Sequence, residues 1–266
     1  MYNHLMETQA MITSPQNGQI QLVRKLMEQS KARDKNQAFV AEGVRLVEEG
    51  VKSIFPVKFI LRKPNPSSRA LSFLESLSEN YPILVVEPKL FDSLSGTETS
   101  QGILAVFEFS SLSLPTQLDF LVILDQLRDP GNMGTILRSA EAAGAQAVIV
   151  PSGNTDPFAP KVVRSGMGAH FRLPIQQLPW EVIYALTEDL PVFHADMNGQ
   201  LTCWQADFRK PLVLLIGGEA EGISIEGQQL ATHSVRIPMK GKTESLNAAV
   251  SASVLMFEVY RQRSQG

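Results

Sequence analysis

The sequence has one cysteine, no long apolar run and only a small excess of negative charge, −3 at pH 7. Cys203 on its own excludes an internal disulfide and a cysteine-based zinc site. No stretch approaches the roughly eighteen consecutive apolar residues of a membrane span, and the polar start does not have the pattern of a secretory signal. The histidines His4, His170, His194 and His233 are scattered without metal-ligand spacing. These features predict a metal-free protein of the cytoplasm that is not bound to a membrane.

Two α/β patterns make up the 266 residues, of which 44% are apolar and 19% charged. Short apolar runs alternate with helical stretches in both patterns, and in the second pattern this predicts a parallel sheet covered on both faces. Residues 110–118 contain several serines and a proline, which is typical of a linker. We expect a flexible N-terminus over 1–18, a small α/β domain over 19–109 and a larger α/β domain over 119–266.

The secondary structure is predicted from apolar periodicity and from turn residues. In the first domain, helices are predicted at 19–35, 44–51 and 69–77, and strands at 38–42, 59–61, 83–86 and 103–107. In the second domain, strands are predicted at 120–124, 147–150, 192–194, 212–216 and 235–237, and helices at 135–143, 181–187 and 247–261. Ligands of open α/β sheets bind beyond the carboxyl ends of strands, so the residues that follow each strand are candidates for a site.

A turn and a helix follow the first strand of the larger domain. Residues 129–132 (DPGN) form a turn signal, and the next helix is predicted to have Gly134 near its first turn. Gly134 and Arg138 are four residues apart, so we expect them to share one helix face, with a flat patch of backbone beside a guanidinium. A surface arginine on an amphipathic helix is the alternative interpretation.

A glycine-rich loop follows the strand at 212–216. Gly217, Gly218 and Gly222 permit a tight turn and a close approach of the backbone to a ligand. The loop is neither a P-loop nor a dinucleotide-binding fingerprint. Because Glu219 and Glu221 would repel a phosphate, the loop suits a ligand with cationic groups or hydroxyls better than a nucleoside triphosphate.

The last strand leads into a turn and the C-terminal helix. Pro238 ends the strand, Gly241 lets the chain turn, and either Ser245 or Asn247 can cap the helix. Small residues at the start of this helix allow a neighbour to pack closely. Its buried face is predicted to consist of Val250, Val254, Leu255 and Val259.

Together these three motifs resemble the SpoU/TrmH family of RNA ribose 2′-O-methyltransferases, within the SPOUT superfamily. The matches are 132–138 (NMGTILR), 218–223 (GEAEGI) and 237–247 (IPMKGKTESLN), in the family's order. Residues 39–47 and 101–106 are also similar to the substrate-binding domain of longer members. The resemblance implies a C-terminal parallel sheet with a deep trefoil knot, preceded by a small α/β RNA-binding domain. It also implies a homodimer with the active site at its interface, and transfer of a methyl group from S-adenosyl-L-methionine to a ribose of structured RNA, with ribosomal RNA favoured.

The resemblance further implies which residues form the site. The cofactor would be lined by Gly218, Ile237, Met239 and Leu246. Arg138 would act on the 2′-hydroxyl, and the groups that orient the hydroxyl, the RNA phosphate or the cofactor would be Asn132, Glu219, Ser245 and Asn247. Because a guanidinium stays protonated in proteins, we expect Arg138 to stabilise the developing alkoxide and hold the adjacent phosphate while another group takes the proton.

Basic residues that are candidates for RNA contact occur in two main stretches. The helical stretch 19–35 has five basic and two acidic residues, and either a solvated face or a phosphate-contacting patch fits that pattern. A second predicted helix, around 160–165, carries a basic pair three residues apart, and the family has a similar stretch there. The candidates are Arg24, Lys25, Lys31, Arg33, Lys35, Arg45, Lys161 and Arg164.

Three other functions remain open at this point. Transfer RNA is the alternative substrate for the same reaction. A non-catalytic RNA-binding homologue is a second alternative, although Arg138, Asn132, Ser245 and Asn247 are all present. A nicotinamide-dependent oxidoreductase is disfavoured because the dinucleotide-binding fingerprint is missing.

Overall fold

The computed structural model describes residues 10–77, 81–97, 99–219, 221–242 and 245–264. His4 and the first nine residues of the expected flexible N-terminus lie outside the described residues. In the described part of that segment, Ile12 forms an isolated bridge with Val86, and its N–H donates to the Val85 carbonyl at 2.8 Å. No helix in the described part of the chain is long and apolar enough to cross a membrane.

The chain divides into two compact units. The first unit runs to Ser110 and also contains Phe158–Arg164, and the second contains Ser111–Pro157 and the chain from Ser165 onward. Phe158 belongs to the first unit because its ring packs on those of Phe39 and Phe109, at centroid distances of 5.2 and 4.6 Å. Residues 119–266 were predicted to form one domain without this excursion, although the stretch before it, 151–157 (PSGNTDP), is rich in turn residues.

The first unit is a four-stranded mixed sheet in the order β1-β4-β2-β3. Its strands are β1 (Ala38–Glu42), β2 (Val57–Arg62), β3 (Ile83–Val85) and β4 (Ile103–Glu108). Its helices are α1 (Gly18–Glu28), α2 (Ser30–Asn36), α3 (Val44–Val51), α4 (Ser68–Ser76) and α5 (Pro88–Asp92). Strand β4 is antiparallel to both β1 and β2, whereas β3 is parallel to β2. The apolar side chains of α1 pack into the core of this sheet.

The single helix predicted at 19–35 is wrong, because the chain forms two helices there. Gln29 has an extended backbone and separates α1 from α2. The Arg33 side chain folds back from α2, where it is buried and donates to the Leu26 carbonyl at 2.5 Å. Arg33 therefore braces the junction of the two helices, and the prediction that it contacts RNA is wrong.

The second unit is a seven-stranded sheet in the order β7-β6-β5-β10-β8-β11-β9. Its strands are β5 (Phe120–Asp125), β6 (Ala147–Val150), β7 (Ile175–Gln177), β8 (Val192–Ala195), β9 (Leu201–Thr202), β10 (Leu212–Gly217) and β11 (His233–Arg236). Its helices are α6 (Pro130–Ala142), α8 (Trp180–Leu186), α9 (Ile225–Leu230) and α10 (Ala248–Ser264), while α7 (Pro160–Ser165) begins within Phe158–Arg164 of the first unit. Every pairing in this sheet is parallel, which confirms the predicted parallel sheet.

Strand β11 lies between β8 and β9, although it follows both in the chain. The connection from β8 to β9 passes so close to β11 that a Cβ on Gly199 would lie 2.5 Å from the Val235 carbonyl carbon. Only glycine fits at this crossing. The trefoil knot that the resemblance implies stays a prediction.

The predicted turn at 129–132 is the first turn of α6. The Asp129 carboxylate accepts the Asn132 N–H at 2.7 Å, and Pro130 occupies the first helical position, which needs no N–H. Gly134 and Arg138 lie one turn apart on α6 as predicted, but Gly134 is buried while Arg138 is exposed, so the patch of backbone at Gly134 is covered.

The predicted buried face of α10 is half wrong. Leu255 and Val259 are fully buried, but Val250 and Val254 are 48% and 40% exposed. The helix turns its small residues inward, and the Ser253 and Ser139 hydroxyls meet at 2.8 Å where α10 packs on α6. Close packing of small side chains thus displaces the two valines to the surface.

Candidate active site

A cavity of about 860 Å³ opens at the carboxyl ends of β8 and β10 in the second unit. The chain after β11 and the start of α10 complete its wall. Its apolar lining includes Ile216, Ile223, Ile237, Leu246 and Leu255. Pockets of this size and character hold small-molecule ligands and cofactors.

The glycine-rich loop after β10 forms one wall of this cavity. Gly218 and Gly222 exchange two backbone hydrogen bonds, of 2.9 and 3.1 Å, which close the loop into a tight turn. A Cβ on Gly218 would lie 2.2 Å from the Gln126 carbonyl oxygen, so no other residue fits there without a backbone shift. Gly222 has φ +68°, a conformation that favours glycine. The loop therefore presents backbone groups directly to the cavity, as the sequence predicted.

Three of the predicted catalytic residues form one hydrogen-bonded cluster. The Glu219 Oε1 atom accepts from the side-chain amides of Asn132 at 2.8 Å and Asn247 at 2.7 Å, and from the Ala248 N–H at 3.2 Å. The Asn247 amide also donates to Asn132 Oδ1 at 3.0 Å. Three segments that are far apart in sequence are thus joined by one carboxylate oxygen, which we call the Asn-Glu-Asn cluster.

Asn247 also begins the last helix. Its Oδ1 accepts the N–H groups of Ala249 at 3.0 Å and Val250 at 3.2 Å, as an N-cap residue does. Of the two capping residues that the sequence left open, Asn247 is therefore the one that caps. Ser245 instead lines the cavity.

The predicted cofactor residues all line the cavity: Gly218, Ile237, Met239 and Leu246. The predicted catalytic residues Glu219, Ser245 and Asn247 line it as well, and Asn132 joins them through the cluster. Arg138 does not line the cavity, and its side chain is exposed on α6. The fold therefore gathers all the predicted residues of this site except the arginine.

Residues at the end of β8 also line the cavity, and the sequence motifs do not include them. They are His194, Ala195, Asp196 and Met197. Burial lowers the pKa of His194, although the nearby carboxylates of Asp196 and Asp125 oppose that shift. These four residues were not predicted as site residues, although the rule that ligands bind beyond the carboxyl ends of strands points to the end of the predicted strand at 192–194.

An ion pair crosses the outer side of the glycine-rich loop. Arg128 Nη2 lies 3.0 Å from Glu221 Oε2, and both side chains are largely exposed. Exposed pairs of this kind contribute about 0–1 kcal/mol. Arg128 offsets one of the two negative charges of the loop, and it precedes the α6 segment that carries Asn132.

The basic candidates of the first unit lie in different surroundings. A cleft of about 530 Å³ along α1 and α2 is lined by the exposed Lys25, Lys31 and Lys35, and no acidic residue lines it. Arg45 pairs with Glu49 at 3.2 Å on the surface of α3. These lysines concentrate positive charge in one concave surface.

The remaining basic candidates are Arg24 and the pair on α7. Arg24 is half-buried on α1 and Lys161 is exposed on α7. The Arg164 guanidinium donates to the Gly96 carbonyl at 3.0 Å within the first unit. Across the described residues, no group of three or more His, Cys, Asp or Glu side chains has the arrangement of a metal site.

Two family models match the chain. Residues 119–257 match the SpoU rRNA Methylase family, and residues 17–105 match the MRM3-like substrate binding domain.

Curated relatives match over nearly the whole chain. The 23S rRNA (guanosine(2553)-2′-O)-methyltransferase RlmP of Bacillus subtilis is 33% identical, over 93% of this chain and 98% of its own. The 23S rRNA (uridine(2479)-2′-O)-methyltransferase of Streptomyces viridochromogenes is also 33% identical, over 96% of this chain and 93% of its own.

Solved structures agree with these matches. The SpoU methyltransferase AviRb of Streptomyces viridochromogenes in complex with the cofactor AdoMet superposes with a TM-score of 0.84 at 31% identity, covering 94% of this chain and 99% of that one. The AdoMet-bound rRNA methyltransferase from Sinorhizobium meliloti gives a TM-score of 0.82 at 30% identity, covering 95% and 97%. The resemblance in the three motifs is thereby confirmed across both units, and the chain belongs to the SpoU rRNA Methylase family.

Proposed function

We propose that this protein transfers a methyl group from S-adenosyl-L-methionine to a ribose 2′-hydroxyl of ribosomal RNA. The observation that carries the proposal is the Asn-Glu-Asn cluster, which fixes three polar residues at the edge of a cofactor-sized cavity. The names of the two bacterial relatives, both 23S rRNA 2′-O-methyltransferases, support the choice of ribosomal RNA.

The cavity has the chemistry that S-adenosyl-L-methionine requires. Its apolar lining suits an adenine ring, and the loop that contains Glu219 and Glu221 is acidic, which favours a ligand with a sulfonium and an amino group. The close packing of Gly218 on the Gln126 carbonyl holds the loop backbone against the cavity, where its polar groups can bind the ligand. The residues that would hold the cofactor are Gly218, Ile237, Met239 and Leu246.

When bound, S-adenosyl-L-methionine supplies an electrophilic methyl group on a good leaving group. The protein's task is then to position a ribose oxygen in line with that methyl and to raise its nucleophilicity. Glu219 holds both asparagine amides in place, and Ser245 presents a hydroxyl to the cavity, so these groups can orient the incoming ribose.

Arg138 lies outside the cavity lining and would act on the incoming RNA through its charge. A guanidinium stays protonated at neutral pH, so it stabilises the alkoxide that develops on the 2′-oxygen and holds the neighbouring phosphate through paired N–H groups. Its exposed position on α6 leaves it accessible to RNA. We expect Arg138→Lys to retain binding of S-adenosyl-L-methionine but to lose most methyl transfer, because lysine lacks the bidentate geometry. Near-full methylation by this variant would refute the role.

The first unit would bind the RNA backbone. Lys25, Lys31 and Lys35 line a cleft without acidic residues, which suits phosphate groups. Arg24, Arg45, Lys161 and Arg164 remain candidates at the periphery, although Arg45 and Arg164 already have partners within the chain. The match to a substrate binding domain supports this assignment.

A homodimer is the second part of the proposal. Val250, Val254, Phe257 and Tyr260 are 40–54% exposed along one side of α10, at the spacing of an apolar stripe. A second copy of the chain would cover this stripe beside the active site. We expect the wild type to sediment as a dimer and Phe257→Glu as a monomer. A monomeric wild type would refute this part.

The reaction is tested with labelled S-adenosyl-L-methionine and purified RNA. We expect label in ribosomal RNA in the presence of the wild type and no label with Arg138→Ala. Label in transfer RNA alone would show that the substrate is transfer RNA and not ribosomal RNA. Donor binding without transfer to any RNA would indicate a non-catalytic homologue.

Cell fractionation tests the cytoplasmic location, which we propose because the RNA substrate and the methyl donor occur there together.

A further inference from the structure

A buried carboxylate lies beneath the glycine-rich loop, outside the lining of the cavity. Asp125 is the last residue of β5 and is 0% exposed. Its Oδ2 atom accepts the Ser224 backbone N–H at 2.6 Å and the Ser224 hydroxyl at 2.8 Å. Its Oδ1 atom is buried and has no hydrogen-bond partner among the described residues. Burying a carboxylate oxygen without a hydrogen bond lowers the stability of the folded protein, so we expect Asp125 to have a function that explains its presence.

Asp125 holds both ends of the glycine-rich loop. At one end it lies beside Gly217 in the parallel register of β5 and β10. At the other end it binds Ser224, the residue directly after the cavity-lining Ile223. The loop between these two points forms a wall of the proposed methyl-donor cavity.

The fit around this anchor is tight. Ser224 caps α9 by accepting the Gly227 N–H at 3.1 Å, and a Cβ on Gly227 would lie 2.6 Å from Asp125 Oδ2. Gly227 therefore allows α9 to approach the carboxylate closely.

We infer that Asp125 is a positioning residue for the methyl donor, acting through Ser224 to hold the described loop residues, Gly217–Glu219 and Glu221–Ile223, in the arrangement that binds the donor. The inference rests on the proposed function of the cavity. Glycine-rich loops lose much conformational entropy when a ligand orders them. If Asp125 already orders the loop in the free protein, binding no longer costs that entropy, and the affinity for the ligand is higher.

The decisive variant is Asp125→Asn in the full-length protein. The amide keeps the size and can still accept a hydrogen bond, but it loses the charge that strengthens both bonds to Ser224. We expect the Kd for S-adenosyl-L-methionine, measured by calorimetry without RNA, to rise about tenfold, which is the loss of charge assistance on roughly one hydrogen bond. At saturating donor, kcat should change by less than about threefold.

A purely structural role predicts something different. If Asp125 only stabilised the N-terminus of α9, Asp125→Asn would lower the Tm and leave the Kd of the folded protein unchanged. That result would overturn the inference. Asp207→Asn is the matched control, because Asp207 is an exposed carboxylate paired with Arg209 away from the cavity. This control should leave the Kd unchanged.

Ser224→Ala keeps the test decisive if Asp125→Asn does not fold. It removes the hydroxyl bond and leaves the backbone bond, so we expect a smaller rise in Kd, of about threefold. The rise in Kd of the double variant should be smaller than the two single-variant rises multiplied together, because both substitutions act through one contact. An unchanged Kd for Ser224→Ala, or full additivity, would contradict the inference. If the wild type itself bound no S-adenosyl-L-methionine, the proposed function would fail instead.

Discussion

Replacement of Glu219 is the most informative perturbation of the Asn-Glu-Asn cluster. In Glu219→Ala, the side-chain amides of Asn132 and Asn247 and the Ala248 N–H lose their common acceptor. Because Glu219 is exposed, water replaces part of each bond, and each lost bond then costs about 1 kcal/mol. The total of about 3 kcal/mol corresponds to roughly a hundredfold loss in kcat/KM if it is expressed in the transition state.

Glu219→Gln separates geometry from charge. The glutamine amide oxygen still accepts hydrogen bonds from the same donors, so we expect kcat/KM to fall only about tenfold. The assay is steady-state methyl transfer to RNA, with the Tm measured in parallel. The control is Glu141→Ala on α6, which removes one surface ion pair with Arg172 and should leave kcat/KM unchanged. A Glu219→Ala enzyme within threefold of the wild type would refute the role of the cluster.

Three further predictions follow from single contacts. Gly218→Ala should weaken binding of S-adenosyl-L-methionine at least about tenfold, because its Cβ would meet the Gln126 carbonyl, and calorimetry that gave wild-type affinity would contradict this. Burial lowers the pKa of His170 to about 4. Between pH 6.5 and 4 the unfolded chain therefore takes up a proton on this histidine more readily than the folded protein does. The free energy of unfolding should fall by up to about 3 kcal/mol over that range. Urea titrations should show a flatter pH profile for His170→Gln, and an identical slope would refute the assignment. Lys31→Ala should weaken RNA binding and reduce its salt dependence, whereas Arg33→Ala should lower the Tm, and the reverse result would contradict both roles.

The matched control for the Gly218 variant is Gly18→Ala. Gly18 begins α1, has a normal φ, and has nothing within 4 Å of its would-be Cβ. This variant should bind S-adenosyl-L-methionine like the wild type. Weakened binding would mean that the loss in Gly218→Ala is not specific to the loop.

Much of the fold could be predicted because buried strands have a strong local signal. The run at 147–150 coincides with β6, which is paired with parallel strands on both sides, and the run at 38–42 coincides with the antiparallel β1. Short elements such as β9 were missed because a two-residue edge strand has no periodicity to detect. The order of strands, with β11 inserted between β8 and β9, depends on contacts distant in sequence and has no local signature.

The site was predictable where backbone geometry demands a residue type, and less so elsewhere. Gly218 could be read from the sequence because a tight turn requires it, and the sequence narrowed the helix cap to Ser245 or Asn247. The burial of Arg33 and the exposure of Val254 could not, because each depends on which neighbour packs against a helix face. His194 enters the site only through the position of β8 beside β10.

The central claim is ribose methylation of ribosomal RNA, and the most direct test is the chemistry of the product. Ribosomal RNA is incubated with methyl-labelled S-adenosyl-L-methionine and the protein, then hydrolysed in alkali, which cannot cleave after a 2′-O-methylated ribose because the oxygen that attacks the phosphate is blocked. We predict label in an alkali-resistant dinucleotide for the wild type and none for Arg138→Ala. Label recovered only in mononucleotides would show methylation of a base and would contradict the account.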